Sequence, residues 1–314
     1  VIKKRLSKQR IGFGSQLTAA HAEIDLLKQA RTEDLVEFGF ESEFIGRVPV
    51  RCVLDTLSEE DLYAILKMPD NPVILSKKLD FAAYGIDIVF TDSALKTLAK
   101  RAAVENTGAR GLVSVVEESL LEFEEKLPST QISTFTVTQK VLNAPEVHLK
   151  NLISGNSAKE LEQEHRQAKD AYKLYITGYI KENWKVFSLR HGLTLSEIRC
   201  KMVAQYYTGN VMEVEDAVKQ IKRFHDSVKE IEVEVSKSYD LNIVFEEDAI
   251  DFIIQQFIDH NASSEEILSK LYNDFYDGFN LIREKSGKNR FFLSKAALTD
   301  HETYLNDLIR KEIR

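Results

Sequence analysis

Apolar positions in this chain fall mostly at helical spacing, interrupted by short alternating runs. After Ser58, Leu62, Ile65 and Leu66 recur at three and four residues, which predicts a helix ended by Pro69. Ser58 stands as its N-cap, and Asp61 completes a capping box with a shortened carboxylate. A second helix is predicted over 73–83 and a strand over 84–90, "YGIDIVF". Asp92 then caps a helix from Ser93 to Glu105, which "NTGARG" breaks. The helix "LVSVVEESLLEFEEKL" stops before Pro128, and "TFTVTQKVL", 134–142, reads as a strand. The order helix-helix-strand-helix-helix-strand describes a compact α+β unit. Upstream, 1–55 reads as an incomplete domain: a short helix, a glycine loop, a polar helix, and the β-branched run "VPVRCVLD" (48–55), a predicted strand.

Beyond 156 the pattern changes. "SAKELEQEHRQAKDAYKLYITGYIKENWKVF" predicts one long amphipathic helix. Its stripe of Leu161, Ala168, Tyr172, Tyr175 and Tyr179 suits packing on its own chain better than a coiled-coil partner. The remainder repeats the first unit. "YDLNIVFEEDAI" (239–250) matches "YGIDIVFTDSAL" (84–95) at an offset of 155, 239 against 84. The same offset sets "MEVEDAVKQIK" (212–222) on "LSEEDLYAILK" (57–67), and "FFLSKAAL" (291–298) resembles "FTVTQKVL" (135–142). Residues 210–300 therefore read as a second, diverged copy.

With 314 residues, 43% apolar and 29% charged, the chain has the balance of a globular protein of two or more domains. A net charge of −8 argues against a nucleic-acid partner gripped through phosphates. No apolar run is long enough for a membrane helix, so no membrane partner is expected. Cys52 and Cys200 are too few for a disulfide framework, which points to a reducing, cytoplasmic setting. The histidines have no zinc-ligand spacing, and no metal site is expected.

Phosphate-cradling motifs are missing. The Gly287-Lys288 pair has Ile282 in place of the first Walker A glycine and Asn289 in place of Ser or Thr. Two arginines in glycine contexts stand out instead. Arg47 in "ESEFIGRVPV" follows Gly46 and precedes Pro49, which would fix a guanidinium at a strand's edge. Arg110 in "NTGARGL" sits where a helix restarts, beside free N–H groups and the positive end of the dipole, a combination suited to a phosphate. Either arginine alone also fits a solvated charge or a cap.

In this order, "EDLVEFGFESEFIGRVPV", "LSEEDLYAILK" and "TGARGL" resemble the ClpX-type AAA+ unfoldases over residues 1 to about 145. The resemblance implies a mainly helical α+β fold. It implies a C-terminal remnant of the large ATPase domain over 1–55 and the small lid over 56–155. A helical connector over 156–210 and a diverged lid-like repeat over 211–314 would follow. Arg47 falls on the arginine finger that reaches the neighbouring subunit's ATP. Arg110, with Gly108 and Ala109, falls on sensor 2, which contacts the subunit's own ATP. Leu62 and Ile65 fall on the lid helix flanking the adenine. Ile11-Gly12-Phe13 matches the loop with which such proteins dock a ClpP-type peptidase; the related HslU-type unfoldases lack it.

The chain starts at Val1, and the Walker A, Walker B and sensor 1 segments would precede it. ATP and Mg²⁺ are therefore expected in the parent protein, a hexamer acting on protein substrates, and not on this fragment alone. In the repeat, Gly108, Ala109 and Arg110 align with Ser263, Ser264 and Glu265, and a carboxylate there would repel phosphate. The alternative is a degenerate, non-hydrolysing member serving as a scaffold or adaptor.

Overall fold

A computed structural model describes residues 1–9, 26–48, 50, 52–105, 107–155 and 158–313. The chain is mainly helical, with two small parallel sheets. The N-terminal part has α1 (Ile2–Gln9), α2 (Thr32–Phe38) and α3 (Ser42–Gly46), and Arg5 ties α1 to α2. Its guanidinium donates to both carboxylate oxygens of Asp34 at 2.7 and 2.8 Å and to the Gln29 carbonyl at 2.7 Å. The hydrogen bonds from Arg5 hold the Asp34 pKa below its ordinary value. The segment leaves much apolar surface open. Phe38 and Phe44 are exposed, and Phe40 stacks between them at 6.2 and 6.4 Å. The strand expected over 48–55 is not seen among its described residues, and Val50 and Leu54 lie in solvent. β-Branched alternation makes a strand only where another strand pairs with it.

The first α+β unit begins with α4 (Glu59–Lys67), whose capping box is the predicted one. Ser58 Oγ accepts from Asp61 N at 3.1 Å, and Asp61 accepts from Ser58 N at 2.9 Å. Asn71 and Pro72 start α5 (Pro72–Ala82). Asn71 Oδ1 accepts from Val73 and Ile74 N–H, while its amide donates to the Ile65 carbonyl, so one side chain ties the end of α4 to the start of α5. Then come β1 (Asp87–Phe90), α6 (Asp92–Glu105), α7 (Ala109–Lys126), a short 3₁₀ turn, β2 (Thr134–Val137), α8 (Gln139–Asn143) and α9 (Pro145–Ser154). β1 and β2 pair in parallel, Ile88 beside Phe135, with α6 and α7 as the crossover.

Two local expectations are corrected. The cap of α6 is Thr91, whose hydroxyl accepts from Ala94 N; Asp92 lies inside the first turn and binds Lys67 and Lys96. The predicted strand over 134–142 ends at Val137, because Thr138 accepts from Val141 N and opens α8.

Ile88, Phe90, Phe135 and Val137 alternate onto the unit's own core with Leu98, Leu120 and Phe123. Val89 and Thr136 point the other way and are also buried, beneath α10 (Ala158–Glu182). His165 on α10 lies 3.2 Å from Thr136 Oγ1 and 3.2 Å from the Asp87 carboxylate, which Lys169 also binds. Burial opposes ionisation of Asp87, yet these partners hold its pKa down at about 2.

The predicted single helix over this region is two. Asn183 leaves helical geometry between them (φ −103°, ψ 9°), and α11 (Trp184–His191) starts anew. On its other side α10 packs on α12 (Glu197–Gly209), with Tyr172, Tyr175 and Tyr179 against the second core. The tyrosine stripe is thus used within the chain.

The second unit comprises α13 (Val214–Tyr239), β3 (Asn242–Phe245), α14 (Glu247–His260), α15 (Ser264–Ser286), β4 (Arg290–Leu293), α16 (Lys295–Thr299) and α17 (His301–Glu312). β3 and β4 again pair in parallel. The likeness extends to backbone detail: Ala144 and Asp300, between the last two helices of each unit, share an unusual conformation, φ −142°, ψ 63° and φ −136°, ψ 74°. The chief difference is α13. Where the first unit has Pro69 and Pro72, the second has Phe224 and Ser227, and one 26-residue helix runs through the place of α4 and α5.

Candidate functional site

The site that sequence reasoning singles out lies at the start of α7. Gly108 has φ 64° and ψ −145°, a conformation essentially restricted to glycine. It gives α7 no side-chain cap, and the first turn has no acid. Gly111 is required by close approach. A Cβ there would stand 2.6 Å from Thr107 Oγ1 and 3.1 Å from Glu105 Oε2. The two glycines fold the α6–α7 corner tightly and leave the helix N-terminus open. Arg110 projects from that turn, exposed, with no hydrogen bond or ion pair among the described residues. Leu112 follows directly into the core.

The equivalent corner of the second unit is closed. Ser263 Oγ accepts from Glu266 N at 3.1 Å, and Glu266 accepts from Ser263 N at 3.1 Å. The capping box consumes the donors that an anion would need, and two acids occupy the first turn of α15. Gly287 is the left-handed C-cap of α15, which accounts for that glycine before Lys288 without any phosphate role.

Arg47 sits at the C-cap of α3 rather than at a strand's edge, and Gly46 has ordinary helical backbone. Its guanidinium donates to Glu43 at 2.8 Å, with both side chains almost four-fifths exposed. Such a surface pair contributes little and is readily surrendered. No hydrogen bond or ion pair joins Arg47 to Arg110 among the described residues. Leu62 is fully buried inside the first core and offers no surface to a ligand; Ile65 beside it is half-buried and does. Ile11, Gly12 and Phe13 lie outside the described residues.

Sequence reasoning missed the contacts that fasten α10, α12 and the second unit to the first unit. Tyr207 donates to the Pro69 carbonyl at 2.6 Å and lies 3.0 Å from the Tyr172 hydroxyl. Tyr175 donates to the Lys67 carbonyl at 3.1 Å. Asp70 accepts from Val214 N at 2.7 Å, so a side chain of the α4–α5 turn caps α13. No spacing signal exists for such long-range pairs. Among the described residues no group of His, Cys, Asp and Glu could hold a metal ion, and no helix is long and apolar enough to cross a membrane.

Residues 57–131 match the family described as the C-terminal, D2-small domain of ClpB protein. Among curated proteins, the chain is similar to the ATP-dependent Clp protease ATP-binding subunit ClpX of Borrelia duttonii. The two are 39% identical over 145 residues, 46% of this chain and 34% of that protein. The subunit of Borrelia recurrentis matches equally, and that of Treponema denticola is 36% identical over 131 residues, 41% of this chain and 32% of its own length. The chain thus spans about a third of the length of these curated relatives.

Proposed function

We propose that this chain, whose lid region is of the ClpX AAA+ type, supplies the nucleotide-responsive lid of an ATP-dependent protein unfoldase. The observation that carries the reading is the open N-terminus of α7 with its unpaired Arg110. Free N–H groups, the positive dipole end and a guanidinium converge there, the donor set that fits a terminal phosphate of ATP. Bound ATP and its Mg²⁺ would supply the cleavable phosphoanhydride. The chain's part is to hold Arg110 against the phosphate charge and couple that contact to the lid through the tight Gly108–Gly111 corner. Ile65 would border the base. Arg47 would reach a neighbouring subunit's nucleotide in a hexameric ring, leaving Glu43 to do so. Protein substrates, a ClpP-type peptidase docked through Ile11-Gly12-Phe13, and a cytoplasmic location complete the proposal.

The test places Arg110→Ala and Arg47→Ala in the protein that joins this lid to Walker A and Walker B segments. A guanidinium aimed at transferring phosphoryl charge is worth on the order of 10³ or more in rate. Loss of ATP-dependent unfolding is expected from either change, and unchanged unfolding refutes the assignment. The scaffold reading draws on one observation, the closed corner of the second unit. It prevails if the adjoining segment lacks an intact Walker A.

A further inference from the structure

Between the first unit's sheet and α10 runs a cleft of about 260 Å³ that the nucleotide reading does not use. Its walls are mainly apolar, from Leu66 and Ile74 of α4 and α5, Phe90 of β1 and Leu95 of α6. Lys78 on α5 enters it and also borders a second cleft of about 280 Å³ behind Tyr172. The Lys78 ammonium lies 4.1 Å from the Tyr172 ring centroid and 6.0 Å from that of Tyr207. It has no hydrogen-bond acceptor and no ion pair among the described residues. Every neighbouring charge is already committed. Asp87 on β1 is bound by His165 and Lys169 of α10, and Asp92 on α6 by Lys67 and Lys96. The hydroxyls of Tyr172 and Tyr207 face each other.

We propose that this cleft binds a small amphipathic monocarboxylate, its apolar body against Leu66, Ile74, Phe90 and Leu95 and its carboxylate on the Lys78 ammonium. At roughly 30 Å³ per water-sized group, the volume accommodates about eight or nine such groups, the size of a medium-chain acid. One unpaired cation matches one negative charge. The rim carboxylates of Asp87 and Asp92 disfavour the higher charge of phosphate. Burial pushes the Lys78 pKa down to about 8, with Asp87 opposing and Lys169 assisting. A carboxylate partner removes that penalty, so binding draws a proton onto the amine as pH rises past 8.

The experiment is calorimetric titration of the whole chain with octanoate at pH 7. One saturable site is expected, weakened at least tenfold by Lys78→Met and weakened again in the wild type above pH 8. Ala171→Phe, at the exposed rim, blocks the cleft without touching Lys78 and should also abolish binding. Both variants are checked for an unchanged melting temperature, and Lys78→Gln serves as the charge-removing second variant if Lys78→Met does not fold, with the same loss expected. Equal binding of octan-1-ol, displacement by inorganic phosphate, or full octanoate affinity in Ala171→Phe overturns the proposal. So does an absence of octanoate binding.

Discussion

Asp70 offers a way to separate two opposing effects at one residue. Its carboxylate accepts from Val214 N at 2.7 Å and so caps α13 from outside. Burial raises its pKa, the Val214 hydrogen bond works against that, and Glu213, Glu215 and Asp216 add repulsion. The charge is therefore a cost at neutral pH, and the hydrogen bond a gain. Asp70→Asn keeps an acceptor oxygen and removes the charge. Asp70→Ala removes both. The difference between the two variants isolates the cap, about 1 kcal/mol, or about 2–4 °C in melting temperature for a chain of this size class.

The sign with pH follows from the raised folded pKa. The folded state holds the proton more tightly, so stability falls as pH rises from the unfolded value of 3.8 through the folded one. Asp70→Asn lacks that loss. It should equal or exceed the wild type at pH 7, and its advantage should vanish near pH ~2.5, well below the unfolded value of 3.8, where Asp70 is protonated in both states. Because Asp70 is exposed and screened by solvent, the gain stays within about 1 kcal/mol. Urea unfolding at both pH values, followed by far-UV circular dichroism, measures this. Equal midpoints for Asn and Ala at pH 7 refute the cap. An Asn advantage that persists at pH ~2.5 refutes the charge argument.

Three further outcomes are expected. Ser227→Pro restores in α13 the proline that separates α4 from α5, and should cost about 3 kcal/mol or more, read as a lower urea midpoint. Gly108→Ala forces a Cβ into φ 64°, ψ −145° and should cost about 1–3 kcal/mol, whereas Gly46→Ala, with ordinary backbone and open space, should cost nothing measurable. Asp87→Asn should raise hydrogen exchange along α10; in the wild type the same protection should be lost as pH falls from about 4 through about 2, since the folded pKa is depressed.

Local punctuation made most of the first unit legible. Ser58 with Asp61 announces its helix because the cap is a contact over three residues. Reading failed where a short-range signal was weighed wrongly or had no counterpart. Thr138 is a cap hidden in a β-branched run, so half a predicted strand became α8. Asn183 separates two helices without proline or glycine, through its backbone conformation of φ −103°, ψ 9°. Arg110 was legible because glycines flank it. Lys78 was not, because the rings around it come from Tyr172 and Tyr207, about a hundred residues further along the chain.

The two units show what the prolines and the open corner accomplish. In the first, Pro69 and Pro72 break the chain into α4 and α5, and the turn between them becomes a platform for Tyr207 and Val214. In the second, one continuous helix leaves no such platform. The outer faces of the sheets differ in the same sense. Val89 and Thr136 are buried under α10, while Phe292 stands half exposed on β4 with Arg290 over its ring. The first unit thus has both its sheet face and its α4–α5 turn engaged by the chain that follows it, and keeps its α7 corner open. The second has closed that corner with Ser263 and Glu266 and left its sheet face open. Of these two corners only the first leaves its N-terminus without a side-chain cap, and under the proposed function a lid movement started there would carry α10, α12 and the second unit along through Tyr175, Tyr207 and Asp70.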